Sequence, residues 1–194
     1  MQPSITSFYD HLKEAMSGIV VTRDDGETLS LEAGIEMAIQ MVTDPGKADN
    51  RIFFIGNGAS AAISSHMASD YTKAGGLKAH AFNDGALLTC IGNDFGYQHV
   101  FEKPVEMLAD PGDFLFAISS SGNSVNIHNG IKAARKKNCT VITFSGFKEQ
   151  NPLRNLGDLN FYVPSGNYGT VEILHHSICH CILDVICENK KSPA

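Results

Sequence analysis

The chain has 194 residues, of which 43% are hydrophobic and 19% are charged, a composition typical of an ordinary folded domain with a substantial core. Its formal net charge of −6 argues against non-specific binding to nucleic acid or to an anionic membrane, because both normally require a basic face. No apolar run approaches the ~20 residues that a membrane-spanning helix needs. We therefore expect a single domain over residues 1–194, with neither a nucleic-acid partner nor a membrane partner.

The five cysteines are an odd number without paired spacing, so the sequence does not predict a disulfide framework. The N-terminal residues lack the charged and then apolar plan of a secretory signal. Both observations are typical of a protein with reduced thiols. We therefore expect a cytoplasmic location.

Along the chain, helical spacing of apolar residues first predicts two helices, at 4–17 and 29–44. Strands and helices then alternate, with strands predicted at 51–55, 78–82, 114–118, 140–145 and 159–163 and helices at 61–73, 86–91, 99–108, 125–137 and 170–187. The strands are apolar throughout rather than alternating in polarity, which indicates a parallel sheet covered on both faces. The prediction is an α/β fold with a five-stranded parallel sheet. The two extra N-terminal helices, within about 4–44, are expected to pack on this sheet or to pair with another subunit.

The first predicted strand of the sheet runs into a short glycine turn, Gly56-Asn57-Gly58-Ala59-Ser60. This turn is not a dinucleotide fingerprint, because it lacks a third glycine at the right spacing and an acidic residue after a second strand. It is not a Walker loop either, since the chain contains no Gly-Lys-Ser/Thr. The turn therefore indicates a small site for an anion or a hydroxyl group at a helix N-terminus, and alone it is a weak signal.

The strand predicted at 114–118 ends in a turn that is rich in hydroxyl groups. Ser119, Ser120, Ser121 and Ser124 surround Gly122, and a helix is predicted to begin near residue 125. A lone serine there would most simply cap the helix. Four serines in six residues, at the carboxyl end of a strand in an open α/β sheet, favour a phosphate site instead.

Two predicted helices carry ionisable side chains at helical spacing. His66 and Asp70 are four residues apart and share one face of their helix. The C-terminal helix carries Glu172, His175, His176 and His180. Steps of four bring Glu172, His176 and His180 near one another. Such groups suit either a four-ligand zinc site or acid–base catalysis. His176 and His180 are a rival ligand pair within the last helix alone.

Together these motifs resemble the sugar isomerase (SIS) domain family and, within it, the phosphoheptose isomerases. The resemblance runs over nearly the whole chain and rests on residues 56–60, on Gly92-Asn93-Asp94-Phe95-Gly96, on residues 118–124 and on the pairs His66/Asp70 and Glu172/His180. It implies a three-layer, flavodoxin-like αβα sandwich in a homotetramer with active sites between subunits. It also implies a ketose–aldose isomerase that converts sedoheptulose 7-phosphate to D-glycero-heptose 7-phosphate through a cis-enediolate, for the heptose of lipopolysaccharide or other surface glycans.

The resemblance also implies roles for individual residues. The phosphate would be held by Ser119, Ser120, Ser121 and Ser124, helped by Ser60, and the sugar would be lined by Asn57, Gly58, Ala59, Asn93 and Asp94. One zinc ion per subunit would be bound by His66, Asp70, Glu172 and His180. Catalysis is expected of Asp70, Glu172 and His180, with either carboxylate as the base and His180 as the partner acid.

Four departures from the family's pattern bear on the substrate. Glutamate is shortened to Asp70 and glutamine is replaced by Glu172, so the site gains a second carboxylate, which should favour a bound metal ion. A substrate-contacting aspartate of the family stands here as Gly169, and an arginine that follows the first site helix is missing near Lys73 and Ala74. An isomerase of another phosphosugar therefore stays an alternative. A non-catalytic member that binds the replication initiator or senses a phosphosugar is a second alternative.

Overall fold

The computed structural model describes residues 4–44, 46 and 49–191, so the predicted domain limits at 1 and 194 lie outside the described residues. The strands are β1 Val20–Arg23, β2 Thr28–Leu29, β3 Arg51–Gly56, β4 Lys78–Ala81, β5 Phe114–Ser119, β6 Thr140–Ser145 and β7 Leu159–Tyr162. The α-helices are α1 Ile5–Ser17, α2 Leu31–Thr43, α3 Ala59–Lys73, α4 Gly85–Phe95, α5 Glu102–Leu108, α6 Val125–Lys136 and α7 Tyr168–Lys191.

All of these strands belong to one sheet, in the order β2-β1-β7-β6-β5-β3-β4. Strands β3 to β7 pair with one another in parallel, which confirms the predicted parallel five-stranded core of the sheet. The strand count was too low, because β1 pairs antiparallel with β7 and with β2, which makes a seven-stranded mixed sheet. The α/β fold class is confirmed.

The hairpin of β1 and β2 was missed because each strand is very short and both lie between two strongly helical segments. Its turn does carry a sequence signal, an Asp-Gly pair at Asp25 and Gly26, and Gly26 has a φ of +85°. The hairpin packs closely against α2. A Cβ at Gly34 of α2 would lie 2.6 Å from Cγ1 of Val21, so only glycine lets the helix sit this near β1.

The sheet is covered on both faces, because side chains of each strand point alternately to two apolar clusters. In β3, Ile52 and Phe54 belong to one cluster, while Phe53 and Ile55 belong to the other. Helices α1, α2, α3 and α7 cover the first face, and α4, α5 and α6 cover the second. This arrangement is the predicted three-layer αβα sandwich.

Helices α3 and α7 lie side by side on the first face, and a buried hydrogen bond sets their relative position. The hydroxyl group of Tyr71 in α3 donates to the carbonyl oxygen of Cys179 in α7 over 3.0 Å. Burial raises the pKa of Tyr71 well above its usual value, so this group stays protonated and keeps donating. This contact helps to place the ionisable residues of α3 close to those of α7.

Helix α7 has 24 residues and is apolar enough, by length and composition, to cross a membrane. Half of its apolar stretch is buried inside the domain, as in the core helix of a soluble protein. Both N-terminal helices contact α7, so packing on the sheet domain is what the structure shows for them. Helix α1 nevertheless leaves large apolar side chains in solvent, with Ile5 83% and Tyr9 63% exposed.

Candidate active site

The loops after β3 and β5 meet at one end of the sheet, because these parallel strands are neighbours. Gly56 at the end of β3 pairs with Ile118 near the end of β5, so both loops leave the sheet at the same level. A cavity of about 130 Å³ opens there, at the carboxyl ends of the strands where α/β sheets bind ligands. We call it the serine cavity, and its lining is Asn57, Ser60, Ile118, Ser119, Ser120, Ser121, Ser124, Tyr168 and Glu172.

The serine turn after β5 requires glycine at its centre. Gly122 has a φ of +64°, and its N–H donates to the carbonyl oxygen of Ser119 over 3.1 Å. A Cβ at this position would lie 2.1 Å from Oδ1 of Asn151, which is itself buried. The left-handed backbone and this steric contact together exclude any larger residue.

Ser124 is the N-cap residue of α6, yet within the described residues its side chain makes no capping hydrogen bond. Its Oγ instead lies 3.4 Å from Oγ of Ser119, and both side chains line the serine cavity. A serine that served only the helix would accept a hydrogen bond from an N–H of the first turn. The hydroxyl group therefore stays available to a ligand, beside a helix N-terminus that favours an anion.

Asn57 is held in one orientation by a chain of hydrogen bonds. The backbone N–H of Ile127 donates to Oδ1 of Asn126 over 3.0 Å, which fixes that oxygen as an acceptor. The two asparagine amides then exchange hydrogen bonds of 2.9 Å each, and the hydroxyl group of Tyr97 donates to Oδ1 of Asn57 over 3.0 Å. Because its oxygen is doubly occupied, Asn57 has a spare N–H rather than an acceptor to offer the serine cavity.

A second group of polar side chains lies where α3 faces α7. Nε2 of His66 is 3.2 Å from Oδ2 of Asp70, one helical turn further along α3. The ring of His66 lies 5.2 Å from that of His176 and 5.4 Å from that of His180, measured between centroids. One ligand atom from each of these three histidines lies within 4.8 Å of the others, which makes them a possible metal centre. We call them the histidine cluster.

Two histidines of α7, His175 and His176, have lowered pKa values and stay neutral near pH 7. Burial lowers the pKa of His176, and the neighbouring His180 and His66 lower it further. Burial also lowers the pKa of His175 to about 4, although its Nε2 lies 3.0 Å from the carbonyl oxygen of Ser145. His175 packs on Phe144 within the core and has a structural role.

Among the four predicted metal ligands, His66 lies close to Asp70 and to His180. Glu172 lies one turn before His176 on α7 and lines the serine cavity. Glu172 thus joins the two groups, with a carboxylate beside the serines and the histidine cluster further along the same helix.

Of the predicted substrate-binding residues, the serines, Ser60 and Asn57 line the serine cavity, and four others do not. Asn93 and Asp94 lie exposed near the end of α4, where Nδ2 of Asn93 donates to Oδ1 of Asp94 over 2.9 Å. Gly58 and Ala59 are exposed at the start of α3, outside the cavity lining of this single chain. Their roles stay predictions.

Sequence reasoning missed Asn126, Tyr97 and Tyr168. Asn126 belongs to α6, and its contact with Asn57 depends on the packing of two strands and two helices. Tyr97 directly follows the Asn-Asp-Phe-Gly motif, so the sequence could have indicated it. Tyr168 begins α7 and is 62% exposed beside the serine cavity.

Comparisons with known proteins agree with this geometry. Residues 20–146 match the family described as the SIS domain. The phosphoheptose isomerase of Aliarcobacter butzleri is 37% identical over 163 residues, which cover 79% of this chain and 86% of that protein. The structure of phosphoheptose isomerase GmhA from Neisseria gonorrhoeae superposes with a TM-score of 0.80 at 29% identity, covering 94% of this chain and 97% of that one. A phosphoheptose isomerase from Francisella tularensis superposes with a TM-score of 0.82 at 27% identity, covering 95% and 96%.

Proposed function

The chain belongs to the SIS domain family and, within it, to the phosphoheptose isomerases, and from this premise we propose that it interconverts sedoheptulose 7-phosphate and D-glycero-heptose 7-phosphate. The observation that carries the proposal is the serine cavity itself. Five serines, the oriented amide of Asn57 and Glu172 line the same space. A site for a phosphate and a site for proton transfer therefore adjoin one another.

The serine turn acts as the anchor for the phosphate. Hydroxyl groups of Ser119 and Ser124, the N-terminus of α6 and the N–H of Asn57 all favour a doubly charged anion. The cavity of about 130 Å³ accommodates the phosphate end and leaves the rest of the sugar to extend along α7. Binding energy at the phosphate thereby orients the reacting carbons, C1 and C2.

Proton transfer is assigned to Glu172, with His180 as the partner acid. The carboxylate removes a proton from C1 of the ketose, the C1–C2 enediolate forms, and the same carboxylate returns a proton to C2. His180 exchanges a proton with the sugar oxygens when it is not bound to a metal ion. Asp70 is the less favoured base, because its Oδ2 is already engaged with Nε2 of His66 at 3.2 Å.

Zinc is a cofactor that the residues of the histidine cluster fit. Nε2 of His176 is buried and has no hydrogen-bond partner among the residues that the structure describes, so this site contains an unused metal donor. His66 and His180, with Asp70 beside His66, would hold the ion. When bound, a divalent metal polarises a carbonyl and stabilises negative charge on its oxygen.

We further propose a cytoplasmic homotetramer whose active sites lie between subunits, serving the heptose of lipopolysaccharide or other surface glycans. The exposed apolar side chains of α1, Ile5 and Tyr9 among them, supply a surface for such contacts. Partner residues would complete the small serine cavity and explain why Asn93 and Asp94 lie outside it. The ionisable residues retained at all four expected positions favour an enzyme over a protein that only senses a sugar or binds a replication initiator.

A substrate panel tests the proposal. Ketose and aldose phosphates of five, six and seven carbons are incubated with the protein, and the products are separated by chromatography. We expect kcat/KM for sedoheptulose 7-phosphate to be at least about tenfold higher than for any shorter sugar phosphate. Preference for a shorter sugar would instead assign another phosphosugar, and no turnover of any sugar would favour the binding protein.

A further inference from the structure

His176 lies at the centre of the histidine cluster. Its ring centroid is 4.6 Å from that of His180 and 5.2 Å from that of His66. The ring of His176 is therefore nearer to each of these two than they are to one another, at 5.4 Å.

Nε2 of His176 is buried, and no described residue offers it a hydrogen bond. A buried polar nitrogen without a partner costs on the order of 1–3 kcal/mol, so it calls for an explanation, and a bound metal ion is one. The atom is an imidazole nitrogen, which is the commonest protein donor to transition metals. It is placed on the side of α7 where His66 and His180 already converge.

We infer that His176 is a ligand of the metal site, so that one divalent transition metal is bound by His66, His176 and His180. The Asp70 carboxylate beside His66 would supply a fourth donor, and Glu172 would stay outside the set. This inference concerns metal binding alone and does not depend on which sugar is isomerised.

The spacing of these residues supports the assignment. Nε2 of His66 and Oδ2 of Asp70 are 3.2 Å apart, close to the roughly 3.3 Å between two ligand atoms in a tetrahedral zinc site with bonds of about 2.0–2.1 Å. His176 and His180 are four residues apart on α7, a rise of about 6 Å along the helix axis. Glu172 and His180 are eight residues apart, a rise of about 12 Å. The closer pair is more easily shared by one ion.

The assignment resolves a chemical conflict. A carboxylate that is bound to zinc is a poor base, so Glu172 cannot be a permanent ligand and also move the proton between two carbons. With His176 in the ligand set, Glu172 keeps its carboxylate free on the wall of the serine cavity. Three imidazoles and one carboxylate are donors that suit Zn²⁺ and also Co²⁺.

Metal binding by the purified full-length protein tests the inference, with Zn²⁺ or Co²⁺ alone as the probe. The affinity for Zn²⁺ is measured by competition with a chromophoric chelator. We expect His176→Leu to weaken Zn²⁺ binding by at least about 100-fold, more than the loss of a residue that only supports a ligand. His80→Leu removes an exposed histidine of β4 and is expected to leave the affinity unchanged. Glu172→Gln is also expected to leave it unchanged.

A second variant reads the ligand directly and does not depend on the stability of His176→Leu. In the Co²⁺-loaded His176→Cys protein, a thiolate ligand is expected to add an intense near-ultraviolet charge-transfer band that the wild type lacks. The inference is overturned if this band is absent, if His176→Leu binds Zn²⁺ as tightly as the wild type, or if Glu172→Gln loses the metal while His176→Leu keeps it.

Discussion

Glu172 and His176 lie one turn apart on α7, yet they belong to two different parts of the site. Glu172 lines the serine cavity, whereas the ring of His176 contacts those of His66 and His180. One helix therefore carries both the carboxylate that we propose for proton transfer and two of the imidazoles that we propose for a metal ion. The different roles proposed for Glu172 and His176 lead to the first prediction.

Glu172→Gln keeps the size of the side chain and removes its ability to accept a proton. We expect kcat for sedoheptulose 7-phosphate to fall by about 10²–10⁴-fold with little change in KM, as for loss of a general base. Asp70→Asn is the matched variant and is expected to lose less in kcat. If Asp70→Asn is the inactive protein and Glu172→Gln retains full kcat, Asp70 is the base.

Gly122→Ala is expected to disable the serine turn, because the new Cβ would strike the side chain of Asn151 and the backbone has a φ of +64°. We expect a loss of at least about tenfold in kcat/KM and a lower melting temperature. Gly166→Ala is the control, since its Cβ would meet no described atom within 4 Å. Equal behaviour of the two variants in thermal melting and steady-state kinetics would show that the turn is not constrained in this way.

Asn126→Asp tests the orientation of Asn57. The carboxylate can still accept from the N–H of Ile127, but it can no longer donate to Oδ1 of Asn57. Its second oxygen then faces Oδ1 of Asn57, and this repulsion is expected to displace the Asn57 amide from the phosphate and to raise KM by about 10- to 100-fold. Tyr97→Phe removes only one donor to the same oxygen, so its KM should change less. A KM unchanged in Asn126→Asp would remove Asn57 from phosphate recognition.

His175 makes stability depend on pH in a defined direction. Burial lowers its pKa to about 4, so between pH 6.5 and 4 the unfolded chain takes up a proton that the folded protein refuses. The free energy of unfolding should therefore fall as the pH falls, by about 1.5 kcal/mol between pH 6.5 and 5 from this group. Urea titrations in the presence of a metal chelator measure it. His175→Gln should lose less stability over that interval, and an equal loss would contradict the assignment.

Much of the fold was predictable because it depends on local patterns. Phe114–Ser119 is apolar along its whole length, as a strand buried on both faces must be, and the structure confirms it as β5. The hairpin at residues 20–29 was not predicted, since strands of four and two residues carry little periodicity. Only the Asp-Gly turn marked it.

The sequence predicted many of the residues of the site, but it did not predict which of them contact one another. Helical spacing places Glu172, His176 and His180 on one face of α7, but it does not say which of them meets His66. That outcome depends on tertiary contacts such as the hydrogen bond from Tyr71 to Cys179. For the same reason, the pairing of Asn57 with Asn126 cannot be recognised from the sequence around either residue.

Proton transfer observed in D₂O tests the proposed isomerase most directly. Sedoheptulose 7-phosphate is incubated with the purified protein, and the products are followed by ¹H nuclear magnetic resonance. An isomerase that works through an enediolate should yield D-glycero-heptose 7-phosphate with solvent deuterium at C2. Sedoheptulose 7-phosphate that is recovered unchanged and undeuterated, from a folded and zinc-supplemented protein, would contradict the account.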